Sequence, residues 1–258
     1  MNLRQKLEEA SRQIEAAPIP VETTEGLGND TAYWRTHRER FYRTAKLFLQ
    51  RTHQAPERVL DLGSHFLHFA CLLKTLGYQV YGGDVSEFAN HPNIQERARR
   101  LAIHNASIEP VGRCRELPFV TGQFDVIFLL EAVEHWNANP SGLLKEIYRV
   151  MSPEGRLIVS TPNFYGYHEF GRKIVRFLTG WGGYQPVEDI VQNPNFSHHW
   201  KEYSRKELRK LLGAFGFSLR STGSLTGIGD GTPEWIGRVC QPWGRFLYME
   251  FRKSLEYL

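Results

Sequence analysis

Two aspartates stand where this sequence could hold a nucleotide-like ligand. Asp61 follows the apolar residues Val59-Leu60 and leads into Leu62-Gly63-Ser64, and Asp84 closes Val80-Tyr81-Gly82-Gly83, 23 residues further on. In doubly wound sheets the glycine turn after the first strand lets a ligand approach the backbone closely. A carboxylate about 20 residues later accepts hydrogen bonds from ribose hydroxyls. A second group follows, in which Glu131, Glu134 and His135 form an E-x-x-E-H constellation and His199 sits on a later loop. Imidazoles titrate near neutral pH, so this is where the chain could move a proton.

Any strand-helix-strand unit has turn glycines and surface carboxylates, so these residues gain meaning from the elements that position them. From Arg58 onward short apolar runs alternate with helical stretches, the pattern of a parallel α/β sheet. Strands are predicted at 58–62, 79–83, 108–112, 124–130, 156–161, 217–222 and 245–251. A helix opens after Asn139, with Pro140 suited to its first position, and buries Leu143, Leu144, Ile147 and Met151 before Ser152-Pro153-Glu154-Gly155 ends it. Another opens at Ser204, where Glu207 three residues on completes a capping box.

Ahead of the sheet, Leu3, Leu7, Ala10 and Ile14 recur at helical spacing until Ala17-Pro18-Ile19-Pro20 stops them. A second helix over 33–50 sets Trp34, Phe41, Ala45, Phe48 and Leu49 against Arg35, Arg38, Arg40 and Arg43, whose basic face is expected in solvent. Residues 1–55 thus read as an N-terminal helical appendage to a domain spanning 56–258. Within that domain, 162–202 reads as an inserted lid over the acceptor, because loops of that length in compact domains tend to be functional. Its stretch from Phe170 to Trp181 carries three cations among apolar residues; it is expected to pack as a lid helix, and peripheral contact with an anionic membrane is the alternative.

With 258 residues, 41% hydrophobic and 23% charged, the chain has the composition of a globular enzyme, and extensive disorder is excluded. A net charge of +4 is too mild to announce a nucleic-acid partner. Cys71, Cys114 and Cys240 are far apart and outside any CxxC spacing, which argues against a disulfide framework and for a reducing cytoplasm. Met1 to Ala17 has no apolar signal-peptide core, and no apolar run approaches the roughly 20 residues of a membrane span.

The order of the remaining motifs carries a resemblance. Leu117-Pro118-Phe119, Gln123 to Phe128, Glu131 to His135, Leu143 to Met151, Pro153 to Leu157, Ser160-Thr161-Pro162-Asn163 and His199 to Ser204 follow one another as they do in class I S-adenosylmethionine-dependent methyltransferases of the type-11 and type-12 group. The resemblance runs from about Arg58 to Phe217. It implies a Rossmann-like, seven-stranded, doubly wound sheet with an antiparallel last strand, and a cofactor lying across the carboxyl ends of the first, second and fourth strands. Asp61, Gly63, Ser64 and His65 then match the first cofactor motif, Asp84 and Val85 the ribose end, Arg113 and Cys114 the adenine side, and Leu130 with Glu131 the methionyl side.

The chain departs from that pattern twice. Two further loop glycines are missing from Gly63-Ser64-His65-Phe66-Leu67-His68, which is expected to restrict backbone approach, and an acidic adenine contact is replaced by Gly112-Arg113-Cys114-Arg115. His135 and His199 are the implied catalytic residues. The sequence is also similar to small-RNA 2′-O-methyltransferases and ubiquinone-pathway O-methyltransferases, which implies that Glu131, Glu134, His135 and His199 could hold Mg²⁺ or Mn²⁺. The function expected is O-methylation of a sugar, glycan intermediate or other small-molecule hydroxyl. N-methylation, RNA 2′-O-methylation and an inactive methyltransferase-like scaffold are the alternatives, and oligomeric state is left open.

Overall fold

The fold is that of a computed structural model, and residues 2–20, 28–51, 58–166, 174, 178, 199–225 and 244–254 are described. Strands β1 (Arg58–Leu62), β2 (Gln79–Val85), β3 (His104–Ile108), β4 (Phe124–Leu130), β5 (Met151–Pro162), β6 (Phe217–Leu225) and β7 (Phe246–Lys253) form one sheet in the order β3-β2-β1-β4-β5-β7-β6. The first five run parallel, and β7 lies antiparallel between β5 and β6, as expected of the last strand. Strand order reverses between β1 and β4, which opens a crevice at the carboxyl ends of the strands.

Side chains of the central strands alternate between two cores. Val59, Val126, Phe128 and Leu130 point into one layer and Leu60, Ile127 and Leu129 into the other, so both faces of the sheet are covered by helices. Helices α1 (Leu3–Glu15), α2 (Asp30–Gln50), α3 (His68–Thr75), α4 (Ser86–Ala89) and α5 (Pro92–Leu101) lie on the first side. On the second lie α6 (Ser141–Val150) and α7 (Arg205–Gly213). Glu146 and Arg149 of α6 hold the Leu117-Pro118-Phe119 segment: Glu146 accepts from the Leu117 N–H at 2.7 Å, and Arg149 donates to the carbonyls of Leu117 and Phe119 at 3.0 and 2.9 Å.

The apolar faces of α1 and α2 join the core of the first layer. Leu7, Ala10, Ile14, Trp34, Phe41, Ala45 and Phe48 are buried there, and the Phe48 ring meets Phe128 of β4 edge-on at 5.1 Å. One arginine of the basic face of α2 departs from the expected pattern. Arg35 and Arg38 are exposed, but Arg40 is 5% exposed, because it turns inward to an ion pair with Glu131.

Several boundaries differ from expectation, three of them in a way that changes the reading. The third strand occupies His104–Ile108 instead of 108–112. Pro110 has no N–H for a ladder, and its carbonyl accepts instead from Arg113 and Cys114, so 110–114 turns. Ser152-Pro153-Glu154-Gly155 belongs to β5, where Phe124 pairs with Met151 before a bulge resets the register to Val126 with Arg156. Pro140 is the cap of α6 and Ser141 its first residue. The Ser204 capping box is present. Of the expected lid over 162–202 and its basic stretch, only 162–166, 174, 178 and 199–202 are among the described residues. No helix among the described residues is long and apolar enough to cross a membrane.

Since Phe48 ties α2 to the centre of the sheet, Phe48→Ala is expected to destabilise the whole protein by about 3–5 kcal/mol. Urea unfolding followed by circular dichroism and tryptophan fluorescence should show one coincident transition at lower denaturant. Loss of helix signal well before loss of the sheet would contradict a shared core.

Candidate active site

The turn after β1 is left-handed three times in five residues: Gly63 at φ 81°, His65 at 49° and Leu67 at 63°. Only the first is glycine, so the expected restriction meets a backbone that adopts the glycine-type conformation with side chains attached, at a cost of about 1–2 kcal/mol per such residue. Neighbouring groups fix the turn in place. The N–H groups of Gly63 and Ser64 donate to the Gly83 carbonyl at 2.7 and 3.3 Å, and the His65 N–H donates to Oδ2 of Asp84 at 2.6 Å. Strand β2 must come close to allow this: a Cβ at Gly82 would lie 2.8 Å from Cδ2 of Leu67 and 2.7 Å from Oδ1 of Asn105.

Asp61 and Asp84 lie on either side of this turn. Asp61 is 2% exposed and accepts the Ala70 N–H, while its Oδ2 has no hydrogen-bond partner among the described residues. Oγ of Ser64 is also buried without one. Asp84 is half-buried and accepts the N–H groups of His65 and Val85, one on each oxygen, which leaves lone pairs open to further donors. Burial pushes the Asp84 carboxyl up to about 6 against those two N–H groups. Burial, then the charge of Asp84, pushes Asp61 up to about 7. Arg113, exposed, and Cys114, buried, lie in the turn capped by the Pro110 carbonyl.

The other edge of the crevice begins where β4 ends. Leu130 is 9% exposed, and Glu131 has a φ of 50°, a strained conformation held by the Glu131 N–H to the Ser160 carbonyl at 2.9 Å and by the Ser160 hydroxyl to Oε1 at 2.7 Å. Arg40 of α2 approaches Oε2 at 3.5 Å, and its guanidinium is further paired with Tyr33. A single 3₁₀ turn, Val133–His135, follows. Glu134 is fully buried; the Thr161 hydroxyl donates to Oε2 at 2.9 Å, and Oε1 has no hydrogen-bond partner among the described residues. Burial, reinforced by the charge of Glu131, holds its carboxyl well above the usual range.

The Glu134 carbonyl accepts the Trp200 N–H at 2.7 Å and so brings the later loop to this turn, with the His199 ring 4.9 Å from that of His135. Ligand-capable atoms of Glu134, His135 and His199 all lie within 4.8 Å of one another. Glu131 is outside that group and directed to Arg40 and Ser160. The structure therefore brings Asp61, Ser64, His65 and Asp84 together at the turn after β1 and Glu134, His135 and His199 together after β4; the two groups adjoin where a Cβ at Gly63 would lie 3.2 Å from Cβ of Ala132, while no contact ties Arg113 or Cys114 to either among the described residues. Sequence reasoning missed Tyr33, His37 and Arg40, a ring-ring-cation stripe at helical spacing that was its detectable sign; the Tyr33 ring lies 4.2 Å from His37 and 4.5 Å from His65.

A doubly wound sheet with this order, a left-handed glycine turn after β1 and a carboxylate closing β2 defines a protein of the Rossmann-like class. The chain matches the family model described as "Methyltransferase domain" over residues 33–222 and belongs to the class I S-adenosylmethionine-dependent methyltransferases. It is 28% identical over 210 residues to the "Probable S-adenosylmethionine-dependent methyltransferase" of Mycolicibacterium smegmatis, 80% of this chain and 68% of that one. It is also 28% identical over 149 residues to the "Probable methyltransferase PMT6" of Arabidopsis thaliana, 58% of this chain but only 22% of that much longer protein. The fold is similar to that of a SAM-dependent methyltransferase from Aquifex aeolicus, with a TM-score of 0.55 at 17% identity over 83% of this chain and 92% of that one. The unpartnered buried oxygen of Asp61 and the open lone pairs of Asp84 fit the polar groups of such a cofactor.

Two outcomes follow for cofactor binding. Asp84→Ala should weaken binding of S-adenosylhomocysteine about ten- to a hundredfold, the worth of hydrogen bonds to a charged acceptor. Because the raised Asp84 pKa of about 6 means that the empty site holds a proton below that pH, affinity should rise about tenfold between pH 5 and pH 7.5. The same carboxyl contributes folding stability that is present below its unfolded value and lost as pH rises through 6. Calorimetric titration across pH checks both, and a flat profile for the wild type would remove Asp84 from the binding step.

Proposed function

We propose that the protein methylates a hydroxyl of a sugar, glycan intermediate or related small molecule, in a reducing cytoplasm, with His135 and His199 facing the acceptor. The observation that supports this most is the pairing of those two imidazoles at the end of β4, beside the edge where the cofactor's methionyl side is expected. Next to them Phe164, Tyr165, Trp200, Lys201, Ser204 and Lys206 line an open cleft of about 510 Å³, a size suited to a small acceptor, with exposed aromatic faces on which a sugar ring could stack.

S-adenosylmethionine, when bound, supplies a methyl group on a positively charged sulfur. With the donor held at the Asp61 and Asp84 edge, His135 would accept the proton of an acceptor hydroxyl placed in line with the methyl group. His199 stands over the His135 ring and orients it or the acceptor. Burial, reinforced by the charge of Glu131, holds the Glu134 carboxyl beside the imidazoles well above the usual carboxylate range. Residues 162–202 are proposed to close over the acceptor and limit water.

One observation favours a second reading. Glu134, His135 and His199 form a carboxylate and two-imidazole set whose donor atoms converge, a combination that suits a divalent ion such as Mn²⁺ or Mg²⁺. Bound there, the ion would lower the pKa of an acceptor hydroxyl, and Glu134 would be ionised.

Production of S-adenosylhomocysteine, measured with a panel of sugar and aglycone hydroxyl acceptors, tests the proposal. His135→Ala should lower turnover about a hundredfold or more while changing cofactor affinity less than about twofold. Activity that survives prolonged dialysis against chelator and is indifferent to added Mn²⁺ or Mg²⁺ would leave His135 as a direct base and exclude the metal reading. Exclusive methylation of amines would overturn the choice of acceptor.

A further inference from the structure

The N-terminal helices reach the cofactor turn through one buried carboxylate. Asp30, the first residue of α2, is fully buried. Its Oδ1 accepts from Nε2 of His68 at 2.7 Å and from Nη1 of Arg97 at 2.7 Å; its Oδ2 accepts from Nη2 of Arg97 at 2.6 Å and from the Ile19 N–H at 2.8 Å. Both partners are 2% exposed. Arg97, on α5, also donates to the Phe66 carbonyl at 2.9 Å and to the Ala17 carbonyl at 3.1 Å.

These contacts bracket one residue. Phe66, held by Arg97, precedes Leu67, and His68, held by Asp30, follows it; Leu67 is the left-handed residue with a fully buried side chain in a turn where glycine would relax freely. The other strained residue, His65, is covered from the same helix by the Tyr33 ring at 4.5 Å. A bidentate Asp–Arg pair in a low-dielectric interior is rigid and expensive to break, which suits it to holding backbone that would otherwise relax.

We propose that Asp30 is a positioning residue of the cofactor site: with Arg97 and His68 it clamps Phe66 and His68 on either side of Leu67 and so holds Leu67 in the left-handed conformation that the missing glycines would otherwise permit, which makes the segment ahead of the domain part of the site. Its function is to keep the N–H of His65 on Asp84 and the Asp61 edge open for the ligand. The inference rests on the turn being the cofactor's seat, and titration of the wild type with S-adenosylhomocysteine tests that point by itself.

The experiment compares Asp30→Asn and Arg97→Lys with Leu208→Ala, a buried change on α7 in the opposite layer. Each is measured for urea stability, for affinity to S-adenosylhomocysteine under conditions where it is fully folded, and for amide exchange at Phe66 to Phe69. The clamp variants are expected to bind about tenfold more weakly or worse, with faster exchange confined to the turn, while Leu208→Ala binds as the wild type does even when it is equally destabilised. Should Asp30→Asn fail to fold, Arg97→Lys carries the same comparison, since lysine keeps the charge but cannot bridge Asp30 and Phe66 together. Wild-type affinity in a folded clamp variant, or an equal loss of affinity in Leu208→Ala, would overturn the proposal.

Discussion

The structure depends on a backbone path that its own sequence makes difficult. After β1 the chain must turn left-handed at Gly63, His65 and Leu67, with two side chains where free rotation would help. Much of the surrounding architecture contributes to holding that path. Gly82 brings β2 against the turn, the Gly83 carbonyl and the Asp84 carboxylate take its N–H groups, and α2 closes over it with Asp30 and Tyr33. A turn held by β2 and α2 together is preorganised for any ligand that binds there.

At the other edge, electrostatics sets the character of the site. Arg40 keeps an opposite charge beside Glu131, and the charge of Glu131 adds to burial in holding the proton on Glu134. The two neighbouring carboxyls sit in different surroundings: Glu131 faces the Arg40 guanidinium, and Glu134 faces the Thr161 hydroxyl. The imidazoles of His135 and His199 stand directly beside Glu134, with ring centroids 4.9 Å apart.

Much of this was legible in the sequence, and the reasons differ by element. Strands buried on both faces read as near-continuous apolar runs, so Phe124–Leu130 and Arg58–Leu62 were placed to the residue. The half-buried β3, His104–Ile108, carries His104 and Asn105 at its start and was displaced toward the more apolar Val111; only the missing N–H of Pro110 argued otherwise. Asp61, Asp84 and His135 announced themselves by position after apolar runs. Arg40 and Asp30 did not, because a charge on an amphipathic helix is indistinguishable from a solvated one until its buried partner, Glu131 or Arg97, is known. The pairing of His135 with His199 was expected as a shared role, but the Glu134 carbonyl to Trp200 N–H bond that brings them together is a long-range contact with no local signature.

The central claim is that this strained turn is the seat of the cofactor. A crystal structure with S-adenosylhomocysteine bound at neutral pH tests it most directly. The account predicts ribose hydroxyls within hydrogen-bond distance of the Asp84 carboxylate, left-handed φ retained at Gly63, His65 and Leu67, and the sulfur directed toward His135. A nucleoside bound elsewhere, or a turn that relaxes to negative φ at His65 and Leu67 when the ligand enters, would contradict it.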